Sequence, residues 1–339
     1  MNVLTDQLNR PLKDLRISVI DRCNFRCPYC MPQAQYHQHY EFLKNEDWLR
    51  FDEIIRLTKI FTTLGVHKVR LTGGEPLLRP QLPELIQKLA QIQNIDDLAL
   101  TTNGSLLETY AKELKTAGLQ RLTISLDALN ETTFLAMSGQ KGSAQQVLRG
   151  IEKAQEIGFA DIKINIVIKR GVNDQHFMDI IKYFRGTGII VRFIEYMDVG
   201  TCNHWEQSQV VANKEIHTAI HQQFPLQALE ANYFGEVAKR YAFADGRGEI
   251  GFISSVSQPF CSDCTRLRLS TDGKIYTCLF ASEGVDLRTP LREGAADEEL
   301  LQIIKNCWQK RSDQYSENRS LLRSLKSPRQ KIEMYKIGG

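Results

Sequence analysis

A chain of 339 residues, 42% hydrophobic and 24% charged with a formal net charge of +3, has room for one large α/β domain or a main domain with an appendage. That charge is too small to announce a nucleic-acid surface, and no stretch approaches the ~18 apolar residues of a membrane span, so neither partner is expected. The first twenty residues mix charged and polar groups without a signal-peptide core, which predicts a cytoplasmic location.

Leu15–Ile20 reads as a strand, and Phe51–Leu64 as a helix, with Ile54, Leu57, Phe61 and Leu64 at helical spacing and Gly65 as the stop. Further strands are predicted at Lys68–Thr72, Leu98–Thr102, Arg121–Asp127, Asp161–Ile168 and Ile189–Ile194. Helices are predicted between them at Gln81–Gln93, Leu106–Ala117, Ser143–Ile157 and Gln175–Phe184. Such a run of βα units implies parallel strands joined by right-handed crossovers, too few for a complete eight-fold barrel. An open doubly wound sheet and an incomplete barrel both satisfy the pattern, and in both the ligands collect at the carboxyl ends of the strands. The polar and Gly-rich segments Asp21–Pro32, Gly73–Pro76 and Asn103–Gly104 fall there, predicting a single site. After Asp198 the rhythm breaks, so a core over 1–197 and a C-terminal region over 198–339 are expected. In that region Tyr233–Ala244 and Glu249–Val256 read as an antiparallel hairpin, and Asp297–Lys310 as a helix before a basic, polar tail.

Six of the eight cysteines lie in two tight groups, Cys23, Cys27 and Cys30, then Cys261, Cys264 and Cys278. Tight grouping in a chain without a signal peptide points to metal ligation rather than disulfides. Three thiolates with no near fourth suit a [4Fe–4S] cluster whose remaining iron is open to a small molecule. A zinc site is the competing reading. In the first group it would need His37 or His39 and starts from an unusual C-x3-C; in the second, with its C-x2-C, the residues alone leave the two readings even. Cys202 and Cys307 match neither group and read as free thiols.

Two kinds of basic residue point to an anion. Arg70 and Lys163 sit within predicted buried strands, where a charge is costly unless it is paired or faces a polar cavity. If Thr265–Leu269 is extended, Arg266 and Arg268 share one face and Leu267 and Leu269 the other, giving two guanidinium forks beside the second cysteine group.

Leu15–Pro32, LRISVIDRCNFRCPYCMP, resembles the cluster loop of radical S-adenosylmethionine (SAM) enzymes. Together with KVRLTGGEPLLR, TTNG, SLD, RFIEYMDVG, YFGEVAK, the second cysteine group and the final Gly-Gly, the chain resembles over essentially its whole length the radical SAM GTP 3′,8-cyclase family of molybdenum cofactor biosynthesis. The resemblance implies an incomplete (β/α)6 parallel barrel whose mouth is covered by the C-terminal extension. It implies two [4Fe–4S] clusters, the first on Cys23, Cys27 and Cys30 binding SAM, the second on Cys261, Cys264 and Cys278 binding the guanine of GTP. Tyr29, Gly74, Ser125 and Met197 are implied as SAM contacts. Arg16, Arg70, Thr101, Lys163, Arg266, Leu267 and Arg268 are implied as GTP contacts, in a chain that lacks a Walker loop. The terminal Gly338 and Gly339 are implied to enter the active site. In the family a 5′-deoxyadenosyl radical takes the C3′ hydrogen of GTP, and closure onto C8 gives 3′,8-cyclo-7,8-dihydro-GTP. An electron donor such as a flavodoxin or ferredoxin, a downstream cyclic pyranopterin monophosphate synthase and a homodimer are expected from the family alone.

Overall fold

The computed structural model describes residues 3–324 and 330–338. Along the fifth strand of the chain, Ile162, Ile164, Ile166 and Ile168 are at most 2% exposed, whereas Lys163, Asn165 and Val167 alternate onto the other face. Period-two alternation therefore separates an apolar face, covered by helices, from a polar one.

The parallel strands are β1 (Asp14–Ser18), β2 (Lys68–Thr72), β3 (Asp97–Thr102), β4 (Arg121–Ser125), β5 (Asp161–Ile168) and β6 (Ile190–Glu195), paired in sequence order. Helices α1 (Phe51–Thr63), α2 (Leu82–Ala90), α3 (Leu107–Thr116), α4 (Glu131–Ser138), α5 (Ala144–Glu156) and α6 (Phe177–Phe184) make the crossovers. The expected strands and helices stand within three residues of these bounds, but α4 was not expected. Its apolar spacing is weak, and its start is fixed by the Asn130 side chain accepting the Thr133 N–H at 3.0 Å.

The C-terminal region holds α7 (Asn213–Gln223), β7 (Leu226–Leu229), β8 (Lys239–Phe243), β9 (Glu249–Ile253), β10 (Arg266–Leu269), β11 (Lys274–Tyr276) and β12 (Val285–Asp286). It continues with α8 (Arg288–Arg292), α9 (Asp297–Gln309), α10 (Arg319–Ser324) and α11 (Met334–Ile337). The expected hairpin is β8–β9, but β9 also pairs in parallel with β6. At the other flank β10 pairs in parallel with β1, Arg268 opposite Arg16. The C-terminal region thus does more than cover a mouth: it extends the parallel sheet on both sides, to the order β12-β11-β10-β1-β2-β3-β4-β5-β6-β9-β8-β7. The sheet is open, with β12 and β7 as its edges. Among the described residues no helix is long and apolar enough to cross a membrane.

Candidate active site

One cavity of about 310 Å³ is lined by side chains from β1 to β6 and from β9 and β10, so the open sheet curves round a shared polar face. Both cysteine triads line it.

Cys23, Cys27 and Cys30 follow β1 in a loop clamped by Arg26, whose guanidinium donates to the carbonyls of Cys23 (2.7 Å), Phe25 (2.8 Å) and Tyr36 (2.8 Å). Burial, then the charge of Glu75, pushes the Cys23 thiol up to about 12. Cys27 is raised by burial and by the neighbouring Cys23 and Cys30, and Cys30 by burial and Cys23. Three buried thiols whose thiolates would repel one another lose their protons readily only when a cation joins them, which is the fit a cationic iron cluster requires. Among the described residues no three His, Cys, Asp or Glu side chains are grouped to hold a single metal ion.

Around this loop the strand ends interlock. The Tyr29 hydroxyl donates to Asp127 Oδ2 at 2.7 Å, and Asp127 Oδ1 accepts the Val167 N–H at 2.8 Å. Asn103 Nδ2 donates to Asn24 Oδ1 at 2.8 Å and lies 3.8 Å from Cys23 Sγ. Gly73 and Gly74 line the cavity, but the space their missing Cβ leaves is filled by protein: added methyls would fall on the carbonyl oxygens of Ile20 and Arg22. The glycines therefore seat the loop after β2 against the start of the loop that carries Cys23, Cys27 and Cys30.

At the second triad the electrostatics are mixed. Burial pushes Cys278 up to about 12. Cys264, also disfavoured by burial, is pulled down to about 6 by Arg266 and Arg311, with Arg266 Nη2 3.2 Å from its sulfur. The Cys261 and Cys264 carbonyls accept from Arg10 and Arg311, each at 2.7 Å, and both cations meet the buried carboxylate of Asp6. Sequence reading misses Arg10 and Arg311, because the cysteine-loop carbonyls they grip lie 251 and 47 residues away and nothing local marks the contact.

Below the triads Arg16, Arg70, Arg192, Arg266 and Arg268 converge on the cavity. Burial and mutual repulsion lower Arg16 well below its usual range and bring Arg70 and Arg268 to about 10. Guanidiniums held together without a matching set of carboxylates form a site for a polyanion. Arg70 Nη1 donates to the hydroxyls of Thr101 (3.1 Å) and Thr123 (2.8 Å). Arg192 was not singled out, although the buried-charge argument applied to it within its predicted strand.

Tyr29, Gly74, Ser125, Met197, Arg16, Arg70, Thr101, Arg266 and Arg268 all line the cavity. Three of the described candidates, Leu267, Lys163 and Gly338, do not. Leu267 is fully buried in the apolar core, since alternation turns it away from Arg266 and Arg268. Lys163 lies 3.1 Å from Asp161, just outside the lining, with burial and then Arg192 lowering it to about 8. Asn165, not anticipated, lines the cavity with its Oδ1 buried and without a partner among the described residues. In the tail, Arg268 Nη1 donates to the Gly338 carbonyl, and Gly338 packs on Thr72 with φ +72°. Gly339 lies outside the described residues. Cys202 and Cys307 carry no disulfide and line no part of the cavity.

The Radical SAM superfamily profile matches residues 17–184, and the Molybdenum Cofactor Synthesis C profile matches residues 189–317. The chain is 51% identical over 336 residues to the GTP 3′,8-cyclase of Xanthomonas axonopodis pv. citri, covering 99% of each. It is 47% identical over 337 residues to the Staphylococcus aureus protein of that name, again covering 99% of each. Among solved structures, Streptococcus suis SuiB bound to precursor peptide SuiA matches with a TM-score of 0.63 at 14% identity, over 97% of this chain and 77% of that one. Native anSMEcpe with bound AdoMet and a Cp18Cys peptide matches at 0.56 and 16% identity, over 96% and 94%. At such identities these two structures share the fold.

Proposed function

The chain belongs to the GTP 3′,8-cyclase family of radical SAM enzymes, which act at the first step of molybdenum cofactor biosynthesis, and from that premise we propose how its residues share the work. Membership brings an iron–sulfur cluster and SAM; the count of two clusters and the assignments below are our reading. When bound, the cluster and SAM supply a carbon radical that takes the C3′ hydrogen of GTP.

Cys23, Cys27 and Cys30 hold the SAM-binding cluster, a role supported by the charge their thiols cannot carry alone. Cys261, Cys264 and Cys278 hold a second cluster, with Arg10 and Arg311 fixing the loop that carries two of them. The loop after β2, ending in Gly74, together with Tyr29, Ser125 and Met197, frames SAM. Arg16, Arg70, Arg266 and Arg268 neutralise the triphosphate, with Thr101 held ready by Arg70. Lys163 joins them by exchanging Asp161 for phosphate, and Leu267 contributes through its backbone alone. The tail residue Gly338 meets Arg268, whose side chain lines the cavity. Residues 1–197 thus hold the SAM site and part of the phosphate site, residues 198–339 complete the substrate site, and the fixed geometry between them is the protein's main contribution.

The observation that carries this reading is one cavity bounded by two thiol triads, with a cluster of guanidiniums that pair with no carboxylate among the described residues. Anaerobic reconstitution followed by iron and sulfide counting, then incubation with SAM, dithionite and GTP, tests it. About eight irons per chain, GTP-dependent 5′-deoxyadenosine and a cyclised product are expected. Zinc in the second site, or SAM cleavage indifferent to GTP, would overturn it. The reductant consistent with this chemistry is a one-electron carrier such as a flavodoxin or ferredoxin, and the consumer a cyclic pyranopterin monophosphate synthase.

A further inference from the structure

Residues 331–338 reach the cavity along a row of anchors, and Glu333 has no part in the site described so far. Its Oε1 accepts three donors from one loop: the Thr201 N–H and Thr201 hydroxyl, each at 2.8 Å, and the Cys202 thiol at 2.9 Å. That loop is shaped around the carboxylate. Gly200 has φ +71°, and a methyl there would fall on the Glu333 carboxyl group. The neighbouring anchors point the same way. Lys331 Nζ donates to the Asp198 carbonyl (2.6 Å) and carboxylate (2.9 Å), and the Ile332 N–H donates to the Ala281 carbonyl (2.8 Å). From Glu333 onward the chain is a single closed turn, with the Lys336 N–H donating to the Glu333 carbonyl at 3.1 Å. Tyr335 is buried within that turn, and Gly338 follows it at Arg268.

We propose that Glu333 is a positioning residue. The three donors after β6 fix the start of the last turn, and the rigid turn delivers the Gly338 carbonyl to Arg268. Met197, on the same loop, faces the cavity, so one loop sets both the SAM wall and the tail. The proposal rests on the reading that the tail belongs to the active site.

The test compares Glu333→Ala and Glu333→Gln in the full chain and in a chain ending at Ile337, measuring cyclised product per 5′-deoxyadenosine and the KM for SAM. In the full chain Glu333→Ala is expected to lower that ratio about tenfold with an unchanged KM for SAM. Glu333→Gln, which keeps an accepting oxygen, is expected to hold most of the ratio. In the shortened chain Glu333→Ala should add nothing, because its effect passes through the tail. An undiminished ratio in full-length Glu333→Ala, or a further loss in the shortened chain, overturns the proposal. An undiminished ratio in the shortened chain alone sinks instead the tail reading beneath it.

Discussion

The carboxylate of Glu75 accepts the Asn103 backbone N–H at 2.7 Å, and this joins the loop after β2 to the loop after β3 beside the loop that carries Cys23, Cys27 and Cys30. Its other oxygen accepts the Thr102 hydroxyl at 2.7 Å and the Leu77 N–H at 3.0 Å. Asn103 in turn reaches Asn24, so the position of the first triad depends on a carboxylate that touches no cysteine.

Replacing Glu75 by Gln keeps the shape but turns an amide donor toward one of these donors. We expect a loss of about 1–3 kcal/mol in unfolding free energy, the usual cost of an unsatisfied buried group, together with weaker SAM binding. Denaturant unfolding of the metal-free chain and SAM titration of the reconstituted one check both. Unchanged values would show that the loops hold without this acceptor.

Lys163 gives a pH dependence with a definite sign. Without GTP its folded value is about 8, below the usual 10.5, because burial and Arg192 disfavour the cation. The cation is present below that value and lost above it. The kcat/KM for GTP should therefore fall as pH rises through about 8, since that ratio reports the free enzyme. Lys163→Arg should remove this alkaline limb, and Lys163→Met should show the weakened ratio at every pH. A wild-type profile flat across this window in GTP would remove Lys163 from the phosphate contacts.

The two triads are separable on our reading. A variant with Cys261, Cys264 and Cys278 all changed to Ala should retain about four irons and cleave SAM, yet form no cyclised product. Iron analysis with product chromatography distinguishes this from a chain that loses all its iron, which would mean that the clusters do not assemble independently.

Gly74→Ala places a methyl on the Arg22 carbonyl oxygen. Overpacking of this kind costs roughly 1–3 kcal/mol, and here the neighbour that must yield is backbone rather than a flexible side chain. Lower thermal stability with weakened cluster retention is expected. A variant as stable as the wild type with full iron content would contradict the close approach.

Local pattern determined much of this. Helical and strand periods placed the βα units, the spacing of Cys23, Cys27 and Cys30 marked the loop to which we assign a cluster, and alternation at Arg266 and Arg268 put both guanidiniums on the cavity face while sending Leu267 to the core. These features were legible because each depends on residues a few positions apart. Tertiary structure alone decided that β9 and β10 flank the parallel sheet, that Arg10 and Arg311 grip the second cysteine loop, that the glycines after β2 make room for backbone, and that Glu333 meets Thr201. Each joins segments distant in sequence, where the partner of a buried charge or a missing Cβ is fixed by how the chain packs and leaves no periodic trace along it.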